Sequence, residues 1–166
     1  SGRGGRVLRQ MCQMAVVRNC VLPRDLYYKV EEHLWLRVNA DGSVTLGLTD
    51  AAQTLAGAIL YVNPRAVGKM YERNKTIATV ESGKWIGVMR APVAGTLLEA
   101  NPLVLADAGL INRSPYKQGW IVRLAPTQLE EDLQFLVTGE AALVAYEDFM
   151  EQRNLSECIH CEGFEI

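Results

Sequence analysis

Thr76-Ile77-Ala78-Thr79-Val80-Glu81-Ser82-Gly83-Lys84-Trp85-Ile86-Gly87-Val88-Met89 is the stretch on which the reading of this chain turns. Two apolar runs rich in β-branched residues flank Glu81-Ser82-Gly83-Lys84, which predicts a hairpin with the lysine at or beside its tip. Gly83 loosens the turn. A tip lysine has a flexible stem, reaches water and offers its amine to a modifying enzyme. The plain alternative is a solubilising hairpin lysine, and this segment alone does not choose between them.

Outward from the hairpin, residues 25–124 are punctuated every eight to twelve positions by Gly, Pro, Asn or Asp. The runs between predict strands over Tyr27–Lys29, His33–Asn39, Ser43–Leu48, Ala58–Val62, Lys75–Val80, Trp85–Arg90, Gly95–Glu99 and Gly119–Leu124. That spacing predicts a mainly β sandwich or barrel. Ala40-Asp41-Gly42 is a hairpin turn signal, because Gly tolerates a positive φ. Asp50–Leu55 reads as one helical turn capped by Thr49 or Asp50. Beyond residue 126 the period changes. Leu129, Leu133, Leu136, Val137, Leu143, Val144 and Phe149 fall at helical spacing with acids between them. Thr127 with Glu130 and Glu131 fits a capping box, and Gly139 is expected to split the run into two short helices. Residues 1–22, with the apolar patch Met11–Val17, read either as one short helix or as disordered chain.

An internal echo reads either as a module of two similar halves or as chance similarity between two Gly/Pro-bounded strands. Ala56-Gly57-Ala58-Ile59-Leu60-Tyr61-Val62-Asn63-Pro64 matches Ala94-Gly95-Thr96-Leu97-Leu98-Glu99-Ala100-Asn101-Pro102 at a constant offset of 38. In each copy Gly turns the chain into a strand, and Asn-Pro is expected to stop it by removing a donor. Lys84 lies between the copies.

Composition narrows the function. At 166 residues, 49% hydrophobic and 22% charged, the chain has the proportions of an ordinary globular protein with one core, not of a disordered one. It has no run of 18 apolar residues to span a membrane. No basic–apolar–small-residue signal stands at its start, so the expected compartment is the cytoplasm. A net charge of −2 argues against nucleic-acid binding. The charge is unevenly spread: residues 1–37 hold seven Lys/Arg against three acids, and residues 126–166 hold Arg153 against ten acids. These ends either attract each other or are separately solvated. No Ser–His–Asp, Cys–His or paired-carboxylate arrangement and no phosphate-binding Gly loop stands out, so a self-sufficient enzyme is not expected.

From about Leu22 to Leu124 the chain resembles the H protein of the glycine cleavage system, within the lipoyl/biotinyl carrier superfamily. The matching pieces are Tyr27-Tyr28, His33-Leu34-Trp35, Gly47-Leu48-Thr49-Asp50-Ala51-Ala52-Gln53, Leu55-Ala56-Gly57 and Val67-Gly68. They continue through Val80-Glu81-Ser82-Gly83-Lys84, Ala91-Pro92-Val93-Ala94-Gly95, Asn101-Pro102-Leu103, Asn112-Arg113-Ser114-Pro115-Tyr116 and Gly119-Trp120-Ile121. The resemblance implies a lipoyl-carrier-type β sandwich (a barrel-sandwich hybrid) with short helices and a helical C-terminal flank. It divides the chain into a basic extension (1–22), a carrier domain (23–125), its helical flank (126–153) and a Cys-containing tail (154–166). It also implies lipoic acid in amide linkage to Lys84, with Glu81, Ser82, Gly83 and Trp85 flanking it. Of these, Glu81 and Ser82 stand where a ligase would read them, unless Glu81 is simply a solvated turn acid. The implied partners are a lipoate ligase or lipoyl transferase, dihydrolipoamide dehydrogenase and the enzymes on which the arm docks.

Several features depart from that family pattern. Gly83 and Trp85 replace the usual neighbours of the lysine. Trp85 reads as a shield or partner contact for the arm, or as core packing. Leu34 stands where the family has Glu, and His33 reads as a hydrogen-bonded structural histidine rather than a base. All four cysteines lie outside the core: Cys12 and Cys20 at the head, Cys158 and Cys161 at the tail. Inert thiols, a redox role for Cys12, Cys20, Cys158 and Cys161 (with a local Cys158–Cys161 bridge suited by the spacing), and zinc held by four thiolates or by three with His160 all stand open, though the rest of a zinc pattern is missing and no metal is expected. These departures are similar to the H-like lipoate-binding proteins of the heterodisulfide-reductase-like sulfur-oxidising system. That branch implies sulfur-bound intermediates on the arm; an aminomethyl cargo, or an unlipoylated redox module, are the alternatives.

Overall fold

The computed structural model describes residues 14–165, so Cys12 and most of the basic lead-in lie outside the described residues. Strands β1 (Met14–Val17) and β2 (Cys20–Pro23) form a separate hairpin. A seven-stranded antiparallel sheet runs in the order β12 (Val137–Thr138), β3 (Tyr27–Lys29), β4 (Leu34–Val38), β5 (Val44–Leu48), β11 (Val122–Pro126), β10 (Gly95–Ala100), β7 (Met70–Tyr71). A three-stranded sheet holds β6 (Ile59–Pro64), β8 (Thr76–Ser82) and β9 (Ile86–Arg90). Among the described residues a 3-10 turn (Val30–Glu32) and five α-helices complete the order: α1 (Asp50–Ala56), α2 (Pro102–Ala106), α3 (Leu110–Arg113), α4 (Leu129–Leu133) and α5 (Gly139–Gln152). The expected mainly β sandwich with short helices and a helical C-terminal region is the observed architecture.

The two larger sheets face each other across one core. Leu36, Leu46 and Leu124 of the wide sheet share a buried cluster with Ile77, Val80 and Met89 of the narrow one. Burying each such side chain contributes about 1.5–3 kcal/mol. A second cluster under α5 gathers Tyr28, Trp35, Tyr116, Tyr146 and Met150. Trp35 is fully buried, donates from Nε1 to Pro115 O at 3.0 Å, and lies over Gly47 of the next strand. A Cβ at Gly47 would stand 2.5 Å from that ring, so glycine is required there.

The echo is structural as well as sequential. Both copies form strands, β6 and β10, and both carry a register shift one residue beyond the matched aliphatic, at Leu60 and at Leu98. Each strand belongs to a different sheet. Their exits differ from expectation. Asn63-Pro64 continues β6, because this stretch lies on the edge of its sheet where the missing donor costs nothing. Asn101-Pro102 instead opens α2, with Asn101 as N-cap and Pro102 in the first turn.

Other expectations shift with tertiary context. The lead-in is a hairpin over residues 14–23, not a helix, since Arg18 and Asn19 both take positive φ as a two-residue turn requires. Thr49 caps α1 as expected, its Oγ1 accepting from Ala52 N at 3.2 Å. Thr127 does not cap α4: Gln128 is the N-cap, and its side chain donates to Asp132 Oδ1 at 3.0 Å without capping the backbone. Gly139 does mark a break, at φ +60, but a strand residue pair and not helix precedes it. The opposite charges of head and C-terminal region meet in two exposed ion pairs, Arg18–Glu151 at 2.9 Å and Arg24–Glu140 at 2.5 Å. Pairs of that exposure contribute about 0–1 kcal/mol, so they orient more than they stabilise. No helix among the described residues is long and apolar enough to cross a membrane.

Candidate functional site

Lys84 sits on the turn between β8 and β9, fully outside the ladder and exposed. The hairpin beneath it is closed by Ser82 N donating to Trp85 O at 2.8 Å. Ser82 is buried, and its hydroxyl donates to Ala56 O at the end of α1 at 2.6 Å. That bond anchors the tip to a helix of the opposite half. Ser82 therefore faces inward and is not offered to a partner, while Glu81 is half-buried beside it in the β8 ladder. A Cβ at Gly83 would meet nothing within 4 Å and its φ is not positive, so the turn does not depend on glycine there.

Sequence reasoning missed the other side of the lysine. Gly57 takes φ +73 and ψ −157 at the end of α1, and a Cβ there would stand 3.1 Å from Lys84 Cε and 3.8 Å from Nζ. The lysine stem thus lies along a glycine backbone. Asn112 fixes that backbone: Nδ2 donates to Gly57 O at 2.8 Å, and Oδ1 accepts from Ile59 N at 2.9 Å. Among the described residues, Lys84 Nζ has no carboxylate within ion-pair distance. The amine is presented, aligned and uncommitted.

Trp85 turns away from the lysine and packs against the core, its ring lying over Gly87, where a Cβ would approach to 2.0 Å. It meets His33 edge-on at 5.9 Å, and Phe149 meets the far edge of His33 at 5.5 Å. His33 is structural, but its Nδ1 is buried without a hydrogen-bond partner, contrary to the expected bonded histidine. Burial, with the Arg153 guanidinium adding to it, pushes His33 down to about 4, so the ring is neutral at pH 7. Glu32 beside it also holds one buried, unpartnered oxygen, Oε2. Leu34 is a core residue.

On the opposite flank the tail completes a groove of about 560 Å³ whose walls are mostly carbon. Lys84, Gly57, Thr54, Asn112, Ile159 and Cys161 line it, with the charged Arg113 and Glu162 also at its wall. The structure overturns the local pairing of the tail cysteines. Cys158 bonds Cys20, 138 residues away, with Cα atoms 4.8 Å apart, and Cys161 is an exposed free thiol among the described cysteines. No three His, Cys, Asp or Glu side chains among the described residues are placed to hold a metal ion.

A β sandwich that holds an exposed lysine, in no ion pair among the described residues, at the tip of an anchored hairpin has the form of a carrier-type module, one that presents a side chain. The comparisons narrow that class. The chain belongs to the glycine cleavage H-protein family, whose model matches residues 26–151. It is 42% identical over 139 residues to glycine cleavage system H protein 2 of Aquifex aeolicus, covering 84% of this chain and 86% of that one. It is 38% identical over 144 residues to a probable glycine cleavage system H protein 2 of Sulfurisphaera tokodaii, covering 86% and 97%. The crystal structure of a glycine cleavage system H protein from Mycobacterium marinum aligns with a TM-score of 0.63 at 26% identity, over 81% of this chain and all of that one. Proteins of this family are lipoyl carriers, not catalysts, and hold lipoic acid covalently on a lysine. Lys84 fits that group: its amine is exposed and its stem lies against glycine where any side chain would crowd it.

Proposed function

We propose that Lys84 carries the lipoyl group and that the chain passes covalently bound intermediates between partner enzymes. The observation that supports this is the uncommitted Lys84 amine on a hairpin tip tied to α1 through Ser82. A lipoyl group on that nitrogen supplies a disulfide on a long flexible tether, held at high effective concentration wherever the domain docks. The residues of the chain do the holding: β8 and β9 keep the tip in place, Ser82 anchors it, and Gly57 leaves room for the stem. On this reading 23–125 is the carrier module, 126–153 its helical flank, and 1–22 and 154–166 are additions with separate roles. A lipoate ligase or lipoyl transferase loads it, and dihydrolipoamide dehydrogenase and the acceptor enzymes work on it, in the cytoplasm.

For the cargo, we infer sulfur-bound intermediates handed on by a heterodisulfide-reductase-like complex. Leu34 is a core residue and supplies no carboxylate at its own position, which supports this, as does a free thiol in the groove of the lysine. The aminomethyl cargo of glycine cleavage stands as a second reading with its own support. The relatives bear that name, and the unpartnered Glu32 Oε2 beside His33 is an acceptor an amine would satisfy. Two measurements test the proposal. Intact mass after co-expression with a lipoate ligase is expected to show one lipoyl addition that Lys84→Arg abolishes; an addition that survives the substitution overturns the site. Incubation of the lipoylated chain with glycine decarboxylase, pyridoxal phosphate and labelled glycine is expected to leave the arm unlabelled, and robust label replaces sulfur with aminomethyl.

A further inference from the structure

Cys161 shares a groove with Lys84, and the structure holds it there from both sides. Upstream, Cys158 is bonded to Cys20, Ile159 N donates to Thr54 Oγ1 at 3.1 Å, and Gln53 Nε2 donates to Ile159 O at 2.9 Å. The His160 ring meets the fully buried Asp50 Oδ2 at 2.7 Å and stacks on Phe164 at 3.7 Å. Downstream, Phe164 N donates to Cys161 O at 3.1 Å and Glu165 N donates to Arg113 O at 2.6 Å. The thiol therefore belongs to a fixed wall. The groove itself has the volume of a small-ligand site and largely carbon walls, opening at the stem of the hairpin-tip lysine. Acylation removes the charge of that lysine, so the modified arm is an apolar chain whose root already lies in an apolar groove.

We propose that this tail-walled groove is the resting seat of the arm on Lys84, and that Cys161 exchanges reversibly with the dithiolane seated there. The inference rests on lipoylation of Lys84. In the exchange the Cys161 thiolate forms a bond to one dithiolane sulfur while the ring S–S bond breaks. The electron pair leaves on the second sulfur, which takes the proton that Cys161 gave up. One disulfide is consumed and one is formed, so neither an oxidant nor a reductant is needed, and the released thiolate reverses the step by reclosing the ring. Because both groups are on one chain, the reaction is intramolecular and independent of protein concentration. The seated arm is thereby withheld from solvent thiols until a partner draws it out.

The test uses the full chain lipoylated by a co-expressed ligase. Intact mass comes first: if the chain gains no lipoyl group, the carrier reading itself fails, before the exchange is addressed. The lipoylated protein is then treated with N-ethylmaleimide, acidified and digested without reductant for mass spectrometry. The expected product joins the Lys84 peptide to the Cys161 peptide through the arm, with one maleimide on the freed arm sulfur. Its yield is constant across protein dilution, it is absent in Cys161→Ser, and Cys161 labels several-fold more slowly than in unlipoylated protein. The inference is overturned if Cys161 in lipoylated protein carries only maleimide at the unlipoylated rate. It is equally overturned if Cys161 is found bonded to Cys12, or if the joined product grows with protein concentration as a link between two chains would.

Discussion

Residues 56–64 and 94–102 carry the same motif and form the same strand with the same irregularity, yet they do different work. In the second copy Gly95 lies in the sheet interior, where a Cβ would stand 2.5 Å from Ala125 O. Asn101 is buried, caps α2 through Leu103 N at 3.0 Å, and donates to Gln118 O at 2.7 Å and Trp120 O at 2.8 Å. In the first copy Asn63 is exposed and merely continues β6, and Gly57 faces the Lys84 stem, not a neighbouring strand. The second copy holds the fold together and the first makes space for the lysine. Local sequence prescribes the strand and its kink; the neighbour decides what each conserved-looking position is for.

Substitutions along the two copies break that contrast in graded steps. Asn101→Ala is expected to cost about 2 kcal/mol, from a lost cap and two part-buried carbonyls that lose this donor. Urea unfolding measures it, and a loss no larger than that of an exposed site refutes the structural role. Gly95→Ala forces a methyl group against backbone of β11 and is expected to cost about 2 kcal/mol, as overpacking does. Gly57→Ala meets a positive φ and the Lys84 stem, so about 1–2 kcal/mol is expected from backbone strain. Its distinguishing readout is the rate of ligase-catalysed lipoylation, which falls for Gly57→Ala and stays unchanged for Gly95→Ala in the folded fraction. Asn63→Ala is expected to change stability by less than about 0.5 kcal/mol. If Asn63→Ala and Asn101→Ala cost the same, the two copies are equivalent and the contrast falls.

Much of the carrier was legible in one dimension. The two β-branched runs of Thr76–Met89 and the Gly/Pro punctuation are local signals, and they placed the hairpin and the position of Lys84 at its tip without reference to anything distant. The cap at Thr49 and the turn at Asp41-Gly42 are likewise local, the latter with Gly42 at φ +87 and Asp41 accepting from Ser43 N. The flanks of the site were not. Ser82 reads as an exposed turn residue until α1 arrives beneath it, and Trp85 reads as a possible cover for the arm until Gly87 and His33 receive its ring. His33 looked like a bonded histidine, because nothing in its neighbours predicts that Trp85 and Phe149 close around Nδ1.

The cysteines show the limit most plainly. Spacing within Cys158-Ile159-His160-Cys161 allows a local bridge, but Cys20 reaches Cys158 because β2 and the tail lie side by side, with Cys158 N donating to Arg18 O and Asn19 Nδ2 donating to Cys158 O. Sequence alone determined the sheet-rich module and the hairpin with a lysine at its tip, since periodicity and turn chemistry act over a few residues, and the resemblance to the carrier family singled that lysine out. Only the tertiary structure decided what flanks that lysine: a glycine from one half, an asparagine from α3 and a thiol from the tail. Those contacts join segments remote in sequence, and their energies come from packing and burial that exist only once the chain has closed on itself.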